Sequence, residues 1–146
     1  MQELHNVKGS RKNGIYVDCK QLAMRLYKLS FTMAKRDRVI FGDRMLSLAL
    51  DCVEDFAFAY QYPERRVEYT ERLIFDFGRL KELMRMACDL KIISTKHYVT
   101  IFEYVERIDE GVGKYRKYGI SKVQAAAGSN DGRGSGNERQ EEATVS

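Results

Sequence analysis

Apolar residues recur along the chain in four runs with the three- and four-residue steps of an α-helix. In the first, Ile15, Cys19, Leu22, Leu26, Leu29 and Met33 draw one line down one side of a helix. The second runs through Val39, Leu46, Leu50, Val53, Ala57 and Tyr60. Phe41, Leu48, Phe56 and Phe58 widen it, so this helix is expected to be buried on more than one side. Asp37 is expected to cap it, its carboxylate accepting a hydrogen bond from a free backbone N–H. Pro63 ends the second helix and opens the third, because proline has no N–H to donate while its fixed φ suits a first turn. The third is expected from Pro63 to Lys91, with Leu73, Phe77, Leu80, Met84, Ala87 and Cys88 as its apolar line. Its other face alternates charge from Glu68 to Arg85. Ser94 then caps a fourth helix, whose line is Tyr98, Ile101, Val105, Ile108, Val112 and Tyr115, fading near Tyr118.

No stretch reads as a strand, so the chain is all-α. Short connections force consecutive helices to lie antiparallel, and the expected architecture over residues 15–118 is an up-down-up-down four-helix bundle. Residues 1–14 show no period and are read as a flexible arm. Residues 119–146, closing on GSNDGRGSGNERQEEATVS, are poor in bulky apolar side chains, cannot repay the entropy of ordering, and are read as a disordered tail. No apolar run approaches the roughly 20 residues that cross a bilayer. The polar opening residues do not form a secretory signal, so the expected location is cytoplasmic, with no membrane partner.

Candidate chemistry is sparse. Cys19, Cys52 and Cys88 form no CxxC pair and sit on apolar lines, as buried thiols do. Asp51, Glu54 and Asp55 share part of a helix face, but neither His5 nor His97 has the glutamate three residues before it that a di-iron bundle uses. Those carboxylates are read as a solvated or salt-bridged face, and no metal or cofactor is expected. His97 lacks a neighbouring nucleophile or acid in any recognisable motif. Gly111-Val112-Gly113 lacks the Lys-Ser/Thr of a phosphate loop and is read as a helix end or kink. No catalytic residue is assigned. Met24, Met33, Met45, Met84 and Met86 are read as core filling. The nine tyrosines exceed what one small core needs, which suits a half-buried interface and plain surface placement equally.

Charge changes the picture more. The net charge is +4, yet residues 1–44 hold ten Lys/Arg against four Asp/Glu. Lys20, Arg25, Lys28, Lys35, Arg36, Arg38 and Arg44 follow the first helix, the first connection and the opening of the second helix. Arg79, Lys81 and Arg85 lie on the third helix, and Arg116 and Lys117 close the fourth. In an antiparallel bundle the end of the first helix and the end of the third share one pole, so Lys91 and Lys96 join the patch of Lys35–Arg44. A cation that neutralises a phosphate releases a counterion and gains affinity without reading bases. These cations also fit an ordinary solvated surface.

The segment MAKRDRVIFGDRM, Met33–Met45, resembles the first-loop signature of a family of four-helix-bundle proteins. Lys35, Arg38, Phe41, Gly42, Arg44 and Met45 match it, while Ala34 stands where the family often has proline. LKELMRMACDLKIISTKHYVTIFEYVERI, Leu80–Ile108, resembles that family's third-to-fourth helix segment, and Tyr115 stands where a terminal tryptophan is common. The family includes the accessory variability determinants of diversity-generating retroelements and the proteins of ribosomal RNA intervening sequences. The resemblance implies a homopentameric barrel of bundles without enzymatic activity. It further implies that basic surfaces bind a reverse transcriptase and its structured template RNA in support of mutagenic cDNA synthesis. The alternative it leaves is an intervening-sequence-type protein that binds RNA or assembles without a polymerase partner.

Overall fold

The computed structural model describes residues 14–118. The expected arm, save Gly14, and the expected tail therefore lie outside the described residues. Helix α1 spans Gly14–Ser30. One helical turn over Lys35–Asp37 passes through a π turn, Arg38–Gly42, into α2, Asp43–Gln61. A 3-10 turn over Pro63–Arg65 opens α3, Arg66–Asp89, and α4 takes residues 95–118. Among the described residues there is no strand, and no helix is long and apolar enough to cross a membrane.

The four helices pack around one core. Every residue of the α1 line is buried, as are Leu73, Phe77, Leu80, Met84 and Ala87 of α3 and Ile101, Val105, Ile108 and Val112 of α4. Burying each large side chain contributes roughly 1.5–3 kcal/mol. Two hydroxyls inside, on Ser30 and Thr70, are satisfied by donating to the backbone carbonyls of Tyr27 and Arg66. Met24 and Met86 do not fill the core; both are about half exposed.

Helix α2 departs from expectation in phase. Its core residues are Met45, Leu48, Ala49, Cys52, Phe56 and Ala59, whereas Val39 and Leu50 face outward and Leu46, Val53 and Ala57 are half-buried. The expected line from Leu46 to Tyr60 lies wholly beyond the π turn and keeps the helical period, so it is a row of α2 neighbouring the buried one, and only Val39 is counted across the turn. Asp43 N–H donates to the Arg38 carbonyl, five residues back, so the chain carries one residue more than an α-helical turn. Positions counted across it with a 3.6 period slip around the helix. Asp37 does not cap α2 either. It lies inside the helical turn with αR torsions, its side chain makes no cap hydrogen bond, and Ala34 holds the N-cap position. Gly42 is buried, and a Cβ there would stand 3.1 Å from Met33 Sδ and 3.4 Å from Ser30 Cβ. The missing side chain lets the π turn lie against the end of α1.

The α3–α4 connection is closed by a paired hydrogen-bond motif. Lys91 N–H donates to Cys88 O at 3.0 Å and Ile92 N–H to Ala87 O at 2.8 Å. Lys91 takes φ +61°, the left-handed conformation this helix ending requires and glycine usually supplies. Ser94 caps α4 as expected, its Oγ accepting from His97 N–H at 3.2 Å.

Neighbour contacts run in a closed cycle. Tyr16 of α1 meets Phe56 of α2 with ring centroids 6.5 Å apart, and Arg66 Nε of α3 donates to Ala59 O of α2. Lys81 Nζ of α3 pairs with Asp109 of α4 at 2.9 Å, and Arg116 Nε of α4 with Glu71 of α3 at 2.6 Å. Arg107 Nε of α4 returns to Asp18 of α1 at 3.2 Å. Neither Gly111 nor Gly113 ends α4, which continues through both. At Gly111 a Cβ would stand 2.7 Å from Ile15 Cγ1, so the glycine admits close contact with α1.

That geometry separates two glycines on one helix. Gly111→Ala is expected to destabilise by about 1–3 kcal/mol through overpacking, outweighing its gain in helix propensity. Gly113 has open space around it, and Gly113→Ala is expected to stabilise by up to about 1 kcal/mol. Thermal denaturation followed by circular dichroism reads both.

Candidate polyanion-binding pole

The last turn of α1 and the first turns of α4 form the walls of a groove of about 240 Å3. Arg25, Lys28, Leu29 and Thr32 line one wall and His97, Thr100 and Ile101 the other. Arg25 is held in place by its neighbour, its Nε donating to Tyr104 Oη at 3.2 Å and its guanidinium lying 5.2 Å from that ring's centroid. Both threonine hydroxyls donate to backbone, Thr32 to Leu29 O and Thr100 to Lys96 O. The turn carrying Lys35 and Arg36 follows α1 directly, and Gly42 anchors the π turn against Ser30 and Met33. Lys91 and Lys96 stand in the connection and first turn that lead into the opposite wall. Arg25, Lys28, Lys35, Arg36, Arg38, Arg44, Lys91 and Lys96 thus belong to one end of the helix cluster.

Pairing divides the cations further. Among the described residues, no ion pair involves these eight. Lys28, Lys35, Arg36, Arg44, Lys91 and Lys96 are exposed. Arg38 is half-buried in the π turn, and its Nε is buried with no hydrogen-bond partner. The remaining sequence candidates separate from this end. Arg79 sits 4.0 Å from Asp76 and over Phe75, Lys81 is paired with Asp109, Arg85 with Glu82, and Arg116 with Glu71. Lys20 is exposed midway along α1, and Lys117 is exposed near the far end of α4. Three polar groove residues were not assigned a binding role from sequence: Thr32, His97 and Thr100. The Ser94 cap, which places His97 in the first turn of α4, was the available signal for the histidine.

Arginines of the α2–α3 corner were also unassigned, and the structure gives them structural work. Arg65 pairs with Glu68 at 2.9 Å and lies 4.9 Å from the Tyr69 ring centroid, with Arg72 on the same ring at 5.5 Å. That hydrogen-bonded pair holds Glu68 below the ordinary carboxylate range.

Among the described residues, no group of three His, Cys, Asp or Glu side chains is placed to hold a metal ion. Burial pushes the Cys19 thiol up to about 12 and the Cys52 thiol higher still, so both stay protonated and inert. Cys88 is half-buried, and all three cysteines are free.

Asp55 corrects the reading of the α2 carboxylates. Asp51 and Glu54 are exposed, but Asp55 is only 6 % exposed and its Oδ2 has no ordinary donor beside it. Burial first, then the adjacent Asp76 carboxylate, raises Asp55 from an ordinary 3.8 to about 8, against the opposing pull of Arg72. The retained proton makes Asp55 a donor to Asp76. The shifted phase of α2 carried this residue inward.

Compared with known proteins, the chain matches no family model, no curated protein and no solved structure.

The buried carboxyl gives a signed pH dependence. Between about pH 4 and pH 8 the folded chain keeps a proton on Asp55 that the unfolded chain releases. Its contribution to stability is therefore fully present below about pH 4, declines as pH rises toward about 8, and is flat above. Asp55→Asn is expected to abolish that decline and to raise the melting temperature relative to the parent at about pH 8.5. Melting temperatures across this range check it.

Proposed function

We propose that this chain is a non-enzymatic accessory protein of a diversity-generating retroelement, binding a reverse transcriptase and its structured template RNA through basic surfaces. The observation that carries the reading is the gathering of Arg25, Lys28, Lys35, Arg36, Arg38, Arg44, Lys91 and Lys96 at one end without an ion-pair partner among the described residues. Against Asp37, Asp43 and Asp89 at the same end, these eight leave an excess of positive charge, and such an excess attracts polyanions. Lys91 adds a second indication. A lysine in the left-handed conformation costs about 1 kcal/mol that glycine avoids, and it adds an exposed cation to this end. The resemblance of Met33–Met45 and Leu80–Ile108 to the accessory-determinant family supplies the polymerase and the template.

In this reading the four helices form an antiparallel up-down-up-down bundle, and five copies close a barrel. The opposition of residue 18 to 107 and of 25 to 104 supports the antiparallel order. Repeating the basic pole around a ring would add the fields of separate subunits into one strongly positive surface.

Pull-down of the cognate reverse transcriptase and salt-dependent titration of template RNA test the proposal together. Binding of both supports it. Failure to bind either at low salt overturns it, and binding of RNA without the polymerase selects the intervening-sequence-type reading. Lys91→Gly sharpens the test. It is expected to raise stability by about 1 kcal/mol yet to weaken RNA binding. The slope of log affinity against log salt should fall by about one, as for a lost phosphate contact. An unchanged slope would remove Lys91 from the site.

A further inference from the structure

His97 stands in the wall of the groove between α1 and α4, across from Arg25 and Lys28. It is exposed, and Ser94 fixes its place by accepting its backbone N–H at 3.2 Å. At about 240 Å3 the groove is smaller than the roughly 300–1,000 Å3 that a drug-sized ligand fills, so it suits one group of a longer ligand. The lining selects the group. Thr32 and Thr100 donate their hydroxyl protons to Leu29 O at 2.7 Å and Lys96 O at 3.2 Å, so toward the groove they offer only lone pairs. Arg25 Nε is spent on Tyr104 Oη, which fixes the guanidinium and leaves its terminal N–H groups without a partner among the described residues. No carboxylate lines the groove. The donors left to a ligand are those of Arg25, Lys28 and the His97 imidazole, a set that suits the oxygens of an anion.

The imidazole differs from its two companions. A neutral imidazole has one donor and one acceptor nitrogen, whereas a protonated one has two donors and a charge. Histidine is the side chain whose charge ordinarily changes between pH 5 and 8. Across the groove His97 faces Arg25 and Lys28 of α1. Lys96 precedes it on α4, Lys91 lies in the connection, and Asp89 ends α3 beyond. Tyr104, two turns along α4, is bonded to Arg25. A phosphate seated between the walls supplies negative charge that favours a further proton there, and by reciprocity that proton tightens the hold on the phosphate.

We infer that the groove seats one phosphate group of a polyanion and that His97 ligates it as imidazolium, so that binding takes up a proton. The inference rests on the polyanion reading of this end and needs neither the polymerase nor an oligomer.

Affinity of the full chain for a uridylate oligonucleotide and for heparin, measured at about pH 5.5 and about pH 7.5, tests it, since histidine changes charge in this range while phosphodiesters and sulfates do not. The parent is expected to bind both about tenfold more tightly at the lower pH, as linkage gives when the ligand raises the proton affinity tenfold. For the oligonucleotide, the slope of log affinity against log salt is expected to steepen there by about 0.7, the value for one more neutralised phosphate on a single strand. His97→Gln is expected to bring the two affinities within about twofold of each other. His97→Arg, charged at both values, is expected to hold the tighter binding at both. His5→Gln is expected to keep the parent's dependence. Calorimetry in buffers of different ionisation enthalpy is expected to read proton uptake on binding in the parent and none in His97→Gln. The Asp55 proton is common to parent and variants and cancels in the comparison. Because His97 is exposed, circular dichroism is expected to show unchanged helical content in both of its variants. A parent that binds equally at both values, or a His97→Gln chain that keeps the parent's dependence, overturns the inference and leaves the polyanion reading standing. Binding of neither ligand at either pH overturns both.

Discussion

Close packing at the two ends of α1 is the constraint on which the arrangement depends. At one end Gly111 of α4 leaves no room for even a methyl group against Ile15. At the other, Gly42 of the π turn meets Met33 and Ser30. Interiors packed at crystal-like density do not absorb an added side chain without displacement of a helix. With α1 held between these contacts, its buried line from Ile15 to Met33 reaches the apolar lines of the other helices. The same placement turns the last turn of α1 toward the first turns of α4 and so creates the groove.

Charge is then sorted by position. Along the flanks, Lys81 with Asp109, Arg107 with Asp18 and Arg116 with Glu71 link neighbouring helices. Each pair is exposed to water on at least one side, so it steers register more than it stabilises. At the pole the balance differs, because lysines and arginines there have no carboxylate within ion-pair distance among the described residues. Asp37, Asp43 and Asp89 stand at the same end, but none of them reaches ion-pair distance of these cations. The buried Asp55 beside Asp76 is a departure from maximal stability, since a carboxyl kept protonated by burial loses its hydration without gaining a counter-charge.

The π turn links these features. It adds a residue at the start of the helical segment that leads into α2, buries Gly42 and Met45, and leaves Val39 and Ile40 exposed. It also places Arg38 half inside, with its Nε unpartnered, among the unpaired cations. Irregular helical turns of this kind are frequent at functional sites. Here it lies directly before α2, against the end of α1.

How much of this was legible depended on whether the signal was local. The lines of α1, α3 and α4 and the Ser94 cap follow from spacing within a few residues, and the structure places them as the periodicity predicts. Helix α2 did not yield its phase, because apolar residues cover most of its circumference and more than one row of them keeps the helical period. Leu50 therefore read as core and lies outside, while Asp55 read as solvated and lies inside. The pairing of the cations was equally hidden. Arg107 meets Asp18 across 89 residues and Arg116 meets Glu71 across 45, separations at which no spacing rule operates. Composition and helical period determined that the chain is α-helical, where its helices lie and that its first third is basic. Tertiary packing alone decided which charges neutralise one another and which remain open to a partner, because those distances exist only once the helices have met.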